Sequence, residues 1–248
     1  MSRMIFALGI SVMVGHVALI RAADLHWSYG DHGGPAEWGA LSPEFATCNL
    51  GKYQSPIDIH GAKTADLPAI EFHYRPSPLA VIDNGHTIQV NYAPGSWIEI
   101  GAARYDLVQF HFHKPSEEKI DGKAHAMVAH LVHKNAEGKL AVVAVLLDVG
   151  GANAMIDSIW KNLPKKKEKQ TLVADTTVDA SALLPKDHGY YTFQGSLTTP
   201  PCSEDVKWLV LKAPMKVSDG EIATFAGIYP MNARPTQPLN GRLVEVSK

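Results

Sequence analysis

Leu140–Val149 reads LAVVAVLLDV, an apolar run whose one charge is Asp148. Such a run fits a central strand buried on both faces. A strand of that kind needs neighbours on either side and apolar layers above and below it. Other strand patterns supply the neighbours. Val81–His86 contains an Asn84-Gly85 turn, and Thr87, Ile88, Gln89 and Val90 alternate after it. Leu107–His113 alternates, Met127–His133 is apolar with two histidines, and Val206–Leu211 is a further strand. Asn135–Gly138 is a turn. Helices are few. Asn153 is placed to cap a helix over 154–162, with Met155, Ile156, Ile159 and Trp160 on one stripe and Pro164 after it. Ser218 and Glu221 have capping-box spacing for a helix running towards Ile228. The expectation is one mainly β domain over residues 24–248, with peripheral helices.

Composition supports a real core. Hydrophobic residues make up 46% of the 248 and charged residues 19%, which excludes wholesale disorder and a coiled coil. A net charge of −2 provides no field to draw the chain to nucleic acid or anionic lipid. Residues 1–23 form the exception to the domain pattern. Arg3 precedes the apolar stretch Met4–Ile20, and Arg21-Ala22-Ala23 follows it. This is the pattern of a secretory signal, with an uncleaved N-terminal anchor as the alternative. Cleavage after Ala23 would remove Arg3 and Arg21 and take the charge from −2 to −4. The expected location is periplasmic or secreted, with no membrane attachment after cleavage.

The chain carries 12 histidines. His111-Phe112-His113 lies within a strand pattern, so both rings project from one face. His130 follows on a candidate neighbouring strand, with Asp121-Gly122 as a turn between them. Three histidines on zinc leave a fourth tetrahedral position open, the geometry of a catalytic site. His133, three residues on, faces the other way and reads as structural. The same spacing admits another reading. His111-x-His113-x3-Glu117 also resembles the first metal motif of cupins, where the Glu would be a ligand and the activity that of an oxygenase, although no second cupin motif is visible. A non-catalytic zinc-binding protein is the third class.

A second cluster, Gly195-Ser196-Leu197-Thr198-Thr199-Pro200-Pro201-Cys202, places two hydroxyls before a rigid bend. Together with Trp27–Gly30, Gln54–Ile59, Asn84-Gly85-His86, Gln109–His113, Pro115-Ser116-Glu117, His130–His133 and Asn232-x-Arg234-Pro235, it makes the chain resemble an α-class carbonic anhydrase of the exported bacterial kind. The matching stretches run in order from Trp27 to Arg242.

The resemblance implies a large twisted, mostly antiparallel sheet with zinc at the bottom of a cone. It implies reversible hydration of carbon dioxide to bicarbonate by zinc-hydroxide attack, a monomer or homodimer, and small molecules as the only substrates. His111, His113 and His130 would bind Zn2+. Thr198 would gate the hydroxide and Glu117 would be its buried partner. Thr199 would line the bicarbonate side, and His86 would shuttle protons. Val132, Val142, Leu197, Val206 and Trp208 would form the apolar wall for carbon dioxide. Gln109 would accept from His111. Two positions depart from the family. Val128 stands where many members have an acid that holds the third zinc histidine, which implies weaker zinc binding or a substitute group. Glu118 stands where related bacterial sequences often carry His, and its effect is expected at the cavity rim. In an exported chain the two cysteines allow a Cys48–Cys202 disulfide, with two buried free thiols as the alternative.

Overall fold

The computed structural model describes residues 26–248, so the expected leader at 1–23 lies outside the described residues. Among the described residues the main sheet has 13 strands, ten of which follow one path. These ten are β1 (Lys63–Ala65), β2 (Ser77–Asp83), β3 (Ile88–Asn91), β4 (Ala103–His113), β5 (Met127–Lys134), β6 (Leu140–Val149), β7 (Thr171–Val178), β8 (Tyr190–Gly195), β9 (Val206–Leu211) and β10 (Glu245–Ser247). Their spatial order is β7-β2-β3-β4-β5-β6-β9-β8-β10-β1. The β6–β9 and β10–β1 joints are parallel. The remaining joints are antiparallel, in keeping with the expected architecture.

The apolar run expected at the centre is β6, and Ala141–Leu147 are all buried. Strand alternation divides its side chains between two layers. Ala141, Val143, Val145 and Leu147 join Phe110, Phe112, Ala129 and Leu131 in the larger core. Two helices cover that side, α1 (Ala154–Lys161) and α2 (Asp219–Ala226). The Asn153 Oδ1 accepts from the Met155 and Ile156 amides and starts α1. Its buried stripe is Met155, Ile156, Ile159 and Trp160, as the spacing predicts. Helix α2 opens on the Ser218–Glu221 capping box and stops at Ala226, short of Ile228, where the Tyr229 amide bonds back to Phe225. On the opposite side Val128, Val142, Ala144, Leu146, Val206 and Trp208 build a second apolar cluster. His111, His113 and His130 share that second side, because they alternate with Phe110, Phe112, Ala129 and Leu131.

The loop between β8 and β9 is held by buried polar groups. The Ser55 and Ser196 side chains each accept from the other's amide, at 2.9 and 3.1 Å. The Trp208 indole donates to the Ser196 carbonyl at 3.0 Å. A side chain at Gly195 would collide with Ser55 and Trp208, so this crossing requires glycine. Arg234, 2% exposed, donates to Gln54 Oε1 and to the Ser55 and Cys48 carbonyls. Cys48 and Cys202 are joined as a disulfide, as expected, across a sequence separation of 154 residues.

In the chain-entropy treatment a loop of that length is worth roughly 5 kcal/mol, an upper figure for a crosslink that also closes on existing contacts. Replacing both cysteines by serine is therefore expected to lower the unfolding free energy by about 2–5 kcal/mol. Urea titration checks this; unchanged stability would show that the bridge constrains nothing the fold does not already hold.

Candidate active site

The ladder between β4 and β5 sets the site. His111 lies directly opposite His130, and His113 opposite Val128. Ring centroids are 5.0 Å apart for His111 and His113, 5.5 Å for His111 and His130, and 4.8 Å for His113 and His130. One nitrogen from each ring falls within 4.8 Å of the other two. The other nitrogen of each ring is engaged. His111 Nδ1 is 2.9 Å from Gln109 Oε1, and His113 Nδ1 donates to the Asn232 carbonyl at 2.8 Å. His130 Nε2 lies 3.1 and 3.2 Å from the two Glu118 oxygens. Protons held on these nitrogens leave lone pairs on the facing ones: Nε2 of His111 and His113, and Nδ1 of His130.

A tetrahedral cation with an affinity for imidazole fits this donor set. His113 Nε2 is buried with no hydrogen-bond partner, which a metal bond would satisfy. Burial pushes the His111 pKa down to about 3 and that of His113 well below the usual range, with the neighbouring rings adding to the effect. For His130 burial also opposes the charged form, but Glu118 outweighs it and the pKa is raised. Glu117 is not one of the facing triad; its Oε2 is 3.5 Å from His113 Nε2, and its Oε1 accepts from the Arg234 amide at 2.7 Å. The third partner of the His-x-His pair is thus His130, which favours the zinc reading over the cupin-like one. Burial pushes the Glu117 pKa up to about 7, against the pull of His130, the Arg234 amide and Thr198. Its Oε2 nonetheless has no hydrogen-bond partner of ordinary geometry.

The triad opens into a cavity of about 250 Å³. Its lining includes the apolar Val132, Val142, Leu197 and Trp208 and the polar Asn84, His86, Thr87, Gln89 and Gln109. Thr198 and Thr199 border it from the β8–β9 loop. Val206 does not belong to this lining. It pairs with Gly195 at the start of β9 and, at 2% exposed, packs in one apolar cluster with Val142 and Trp208. His86 follows the Asn84-Gly85 turn, where its amide donates to Asn84 Oδ1. Its ring stacks on Trp27 at 3.6 Å, with His26 at 6.1 Å. Burial lowers its pKa from the usual 6.5, and His26 and Lys167 add to the shift. His133 turns into the opposite layer and meets Tyr74, as its spacing predicts.

Two placements differ from expectation or go beyond it. Glu118 is not at the rim: it is 0% exposed and reaches His130, because the segment after Pro115 turns inward beneath the triad. Asn232, quoted in the sequence only as part of a matching stretch, fixes several backbone groups at once. It accepts from the Lys114 amide at 2.8 Å and donates to the His86 and Phe112 carbonyls, each at 3.0 Å.

The sheet thus brings three histidines that could hold a metal ion to the lining of a cavity of small-molecule size. Residues 33–248 match the family model of the eukaryotic-type carbonic anhydrases. A carbonic anhydrase from Klebsiella pneumoniae is 46% identical over 222 residues, covering 88% of this chain and 90% of its own. One from Nostoc sp. is 43% identical over 229 residues, with coverages of 90% and 87%. The α-carbonic anhydrase of Thermovibrio ammonificans, solved with the inhibitor sulfanilamide, superposes with a TM-score of 0.85 at 39% identity, covering 90% of this chain and 99% of that one. The chain belongs to the α-class carbonic anhydrase family. Its activity is that of a carbonate dehydratase.

Asn232→Ala would strand a buried amide and two carbonyls. It is expected to cost about 2–4 kcal/mol of stability. Urea unfolding reads the loss directly; a change under about 0.5 kcal/mol, the range of ordinary surface substitutions, would contradict the assignment.

Proposed function

We propose that His111, His113 and His130 hold one Zn2+ and that carbon dioxide is hydrated beside it, with His86 carrying the released proton to solvent. The observation that carries this reading is the set of three facing nitrogens, each freed for a metal by an acceptor on the ring's other side. Zinc, when bound, supplies a Lewis acid that makes hydroxide available near neutral pH, the property for which carbonic anhydrases are the reference case.

The chain's own residues do the rest. Val132, Val142, Leu197 and Trp208 receive a linear, apolar electrophile without offering it a competing hydrogen bond. The Thr198 hydroxyl accepts the proton of the nucleophilic oxygen in a hydrogen bond and donates its own to Glu117. That orients a lone pair at the carbon, a positioning effect. An ionised Glu117 is the stronger acceptor for the Thr198 hydroxyl; burial opposes ionisation and a nearby dication would favour it. Thr199 stands where the bicarbonate product has polar company. His86 is neutral at pH 7, with its pKa below 6.5, and therefore ready to accept a proton at the cavity mouth.

The proposed location is periplasmic or secreted. The disulfide and the leader-like residues 1–23 support it. Among the described residues no helix is long and apolar enough to cross a membrane.

His86→Ala is expected to lower kcat about 10- to 100-fold while leaving carbon dioxide conversion, read by kcat/KM, near wild type. Added imidazole should restore much of the loss. In the wild type kcat should rise with pH through an inflection below 6.5, since only the neutral ring accepts a proton. The variant should lose that inflection. Turnover that is unchanged, or a loss indifferent to imidazole, would assign the proton path to another group.

A further inference from the structure

Each ring of the triad needs an acceptor behind it, and the three acceptors differ in kind. His111 has a side-chain amide and His113 a backbone carbonyl, both neutral. His130 has a carboxylate, with both oxygens of Glu118 near its Nε2. We infer that Glu118 is the positioning residue that fixes His130 as a zinc ligand, in place of the acid that many α-class sequences carry at the Val128 position. This rests on the zinc reading proposed above.

Position 128 is where a strand-borne acid would sit. Val128 and His130 are two apart on β5 and share a face. Val128 is 0% exposed and packs with Ile57, Ile59, Ala144 and Leu146, and it has no acceptor to offer. Glu118 approaches the same imidazole nitrogen from outside the strand. Its backbone is fixed there: the Ser116 hydroxyl donates to the Glu118 carbonyl at 2.7 Å and accepts from the His125 amide at 2.8 Å. The next residue, Lys119, pairs with Asp58 in a parallel strand contact. The carboxylate is 0% exposed, so water does not compete for it.

The substitution changes what the third ligand depends on. An acid at 128 would tie His130 to its own strand. Glu118 ties it to the segment 114–120, which also delivers Glu117 beneath the triad. One segment thus sets both buried carboxylates, and its displacement would release His130 and Glu117 together. The alternative is a buried ion pair that stabilises the fold and has no bearing on the metal.

Three variants separate these: Glu118→Gln, Glu118→Ala, and Glu118→Ala combined with Val128→Glu. Metal-stripped protein is titrated with zinc against a chelator of known affinity, and the rate of zinc loss to excess chelator is followed. Thermal unfolding of the metal-free protein is recorded alongside. Glu118→Ala is expected to weaken zinc binding roughly 10- to 100-fold and to speed zinc loss. Glu118→Gln, which keeps the shape and an acceptor oxygen, should show a smaller loss in the same direction and serves as the readout if the alanine variant fails to fold. Recovery of affinity in the double variant would place the function in the carboxylate and not in the position. Zinc affinity and loss rate equal to wild type in both single variants, with only metal-free stability lowered, would overturn the inference while leaving the zinc reading intact. Wild-type protein that takes up no zinc would overturn both.

Discussion

A one-residue slip between β4 and β5 would turn His130 into the larger core and leave a two-histidine face. The register that pairs His111 with His130 is therefore the constraint on which the site depends. It is specified from the other layer. Phe110, Phe112, Ala129 and Leu131 are each 0% exposed, and a one-residue slip would turn Ala129 and Leu131 away from that core. Fully burying a side chain the size of Phe or Leu is worth about 1.5–3 kcal/mol, so a slip would forfeit several such terms and also bury imidazoles among them. The apolar layer under α1 and α2 holds the catalytic layer in register without touching it.

The second requirement is electrostatic. Glu117 and Glu118 are adjacent in the chain and both buried beneath the imidazoles. Two carboxylates in a dry site are costly unless cations answer them. Within the protein, the Arg234 amide and the His130 ring are their nearest hydrogen-bond partners. A dication at the triad would balance the pair. Arg234, from near the C-terminal end, also reaches Gln54, Ser55 and Cys48. The same buried network that supports Glu117 thus anchors the loop carrying Thr198 and Thr199.

Much of this was legible in the sequence, for identifiable reasons. Period-two alternation exposes His111 and His113 as face-sharing, and the apolar run of β6 marks the sheet's centre. The helix caps at Asn153 and Ser218 were equally plain, since capping is local chemistry. Strand β7 was not, because Thr171–Val178 is an edge segment with most residues exposed or half-buried, so it lacks an apolar face to read. Val206 is expected at the wall from the resemblance alone, which names positions and not depths; in the fold it is 2% exposed and packs with Val142 and Trp208. The Glu118 assignment failed for a related reason: a loop residue has no periodicity to say which way it points. A signal was nonetheless present. An acid missing at Val128 and an unexpected acid at Glu118 are complementary departures, and only the fold shows that both positions address one imidazole nitrogen.

The central claim is that the three facing nitrogens bind one zinc and that the hydration activity requires it. The direct measurement is stopped-flow hydration of carbon dioxide by metal-stripped protein as zinc is added in steps. Activity should rise from near the uncatalysed rate in proportion to zinc and level off at one equivalent per chain. Full activity without metal, or a rise that ignores the equivalence point, would contradict the account.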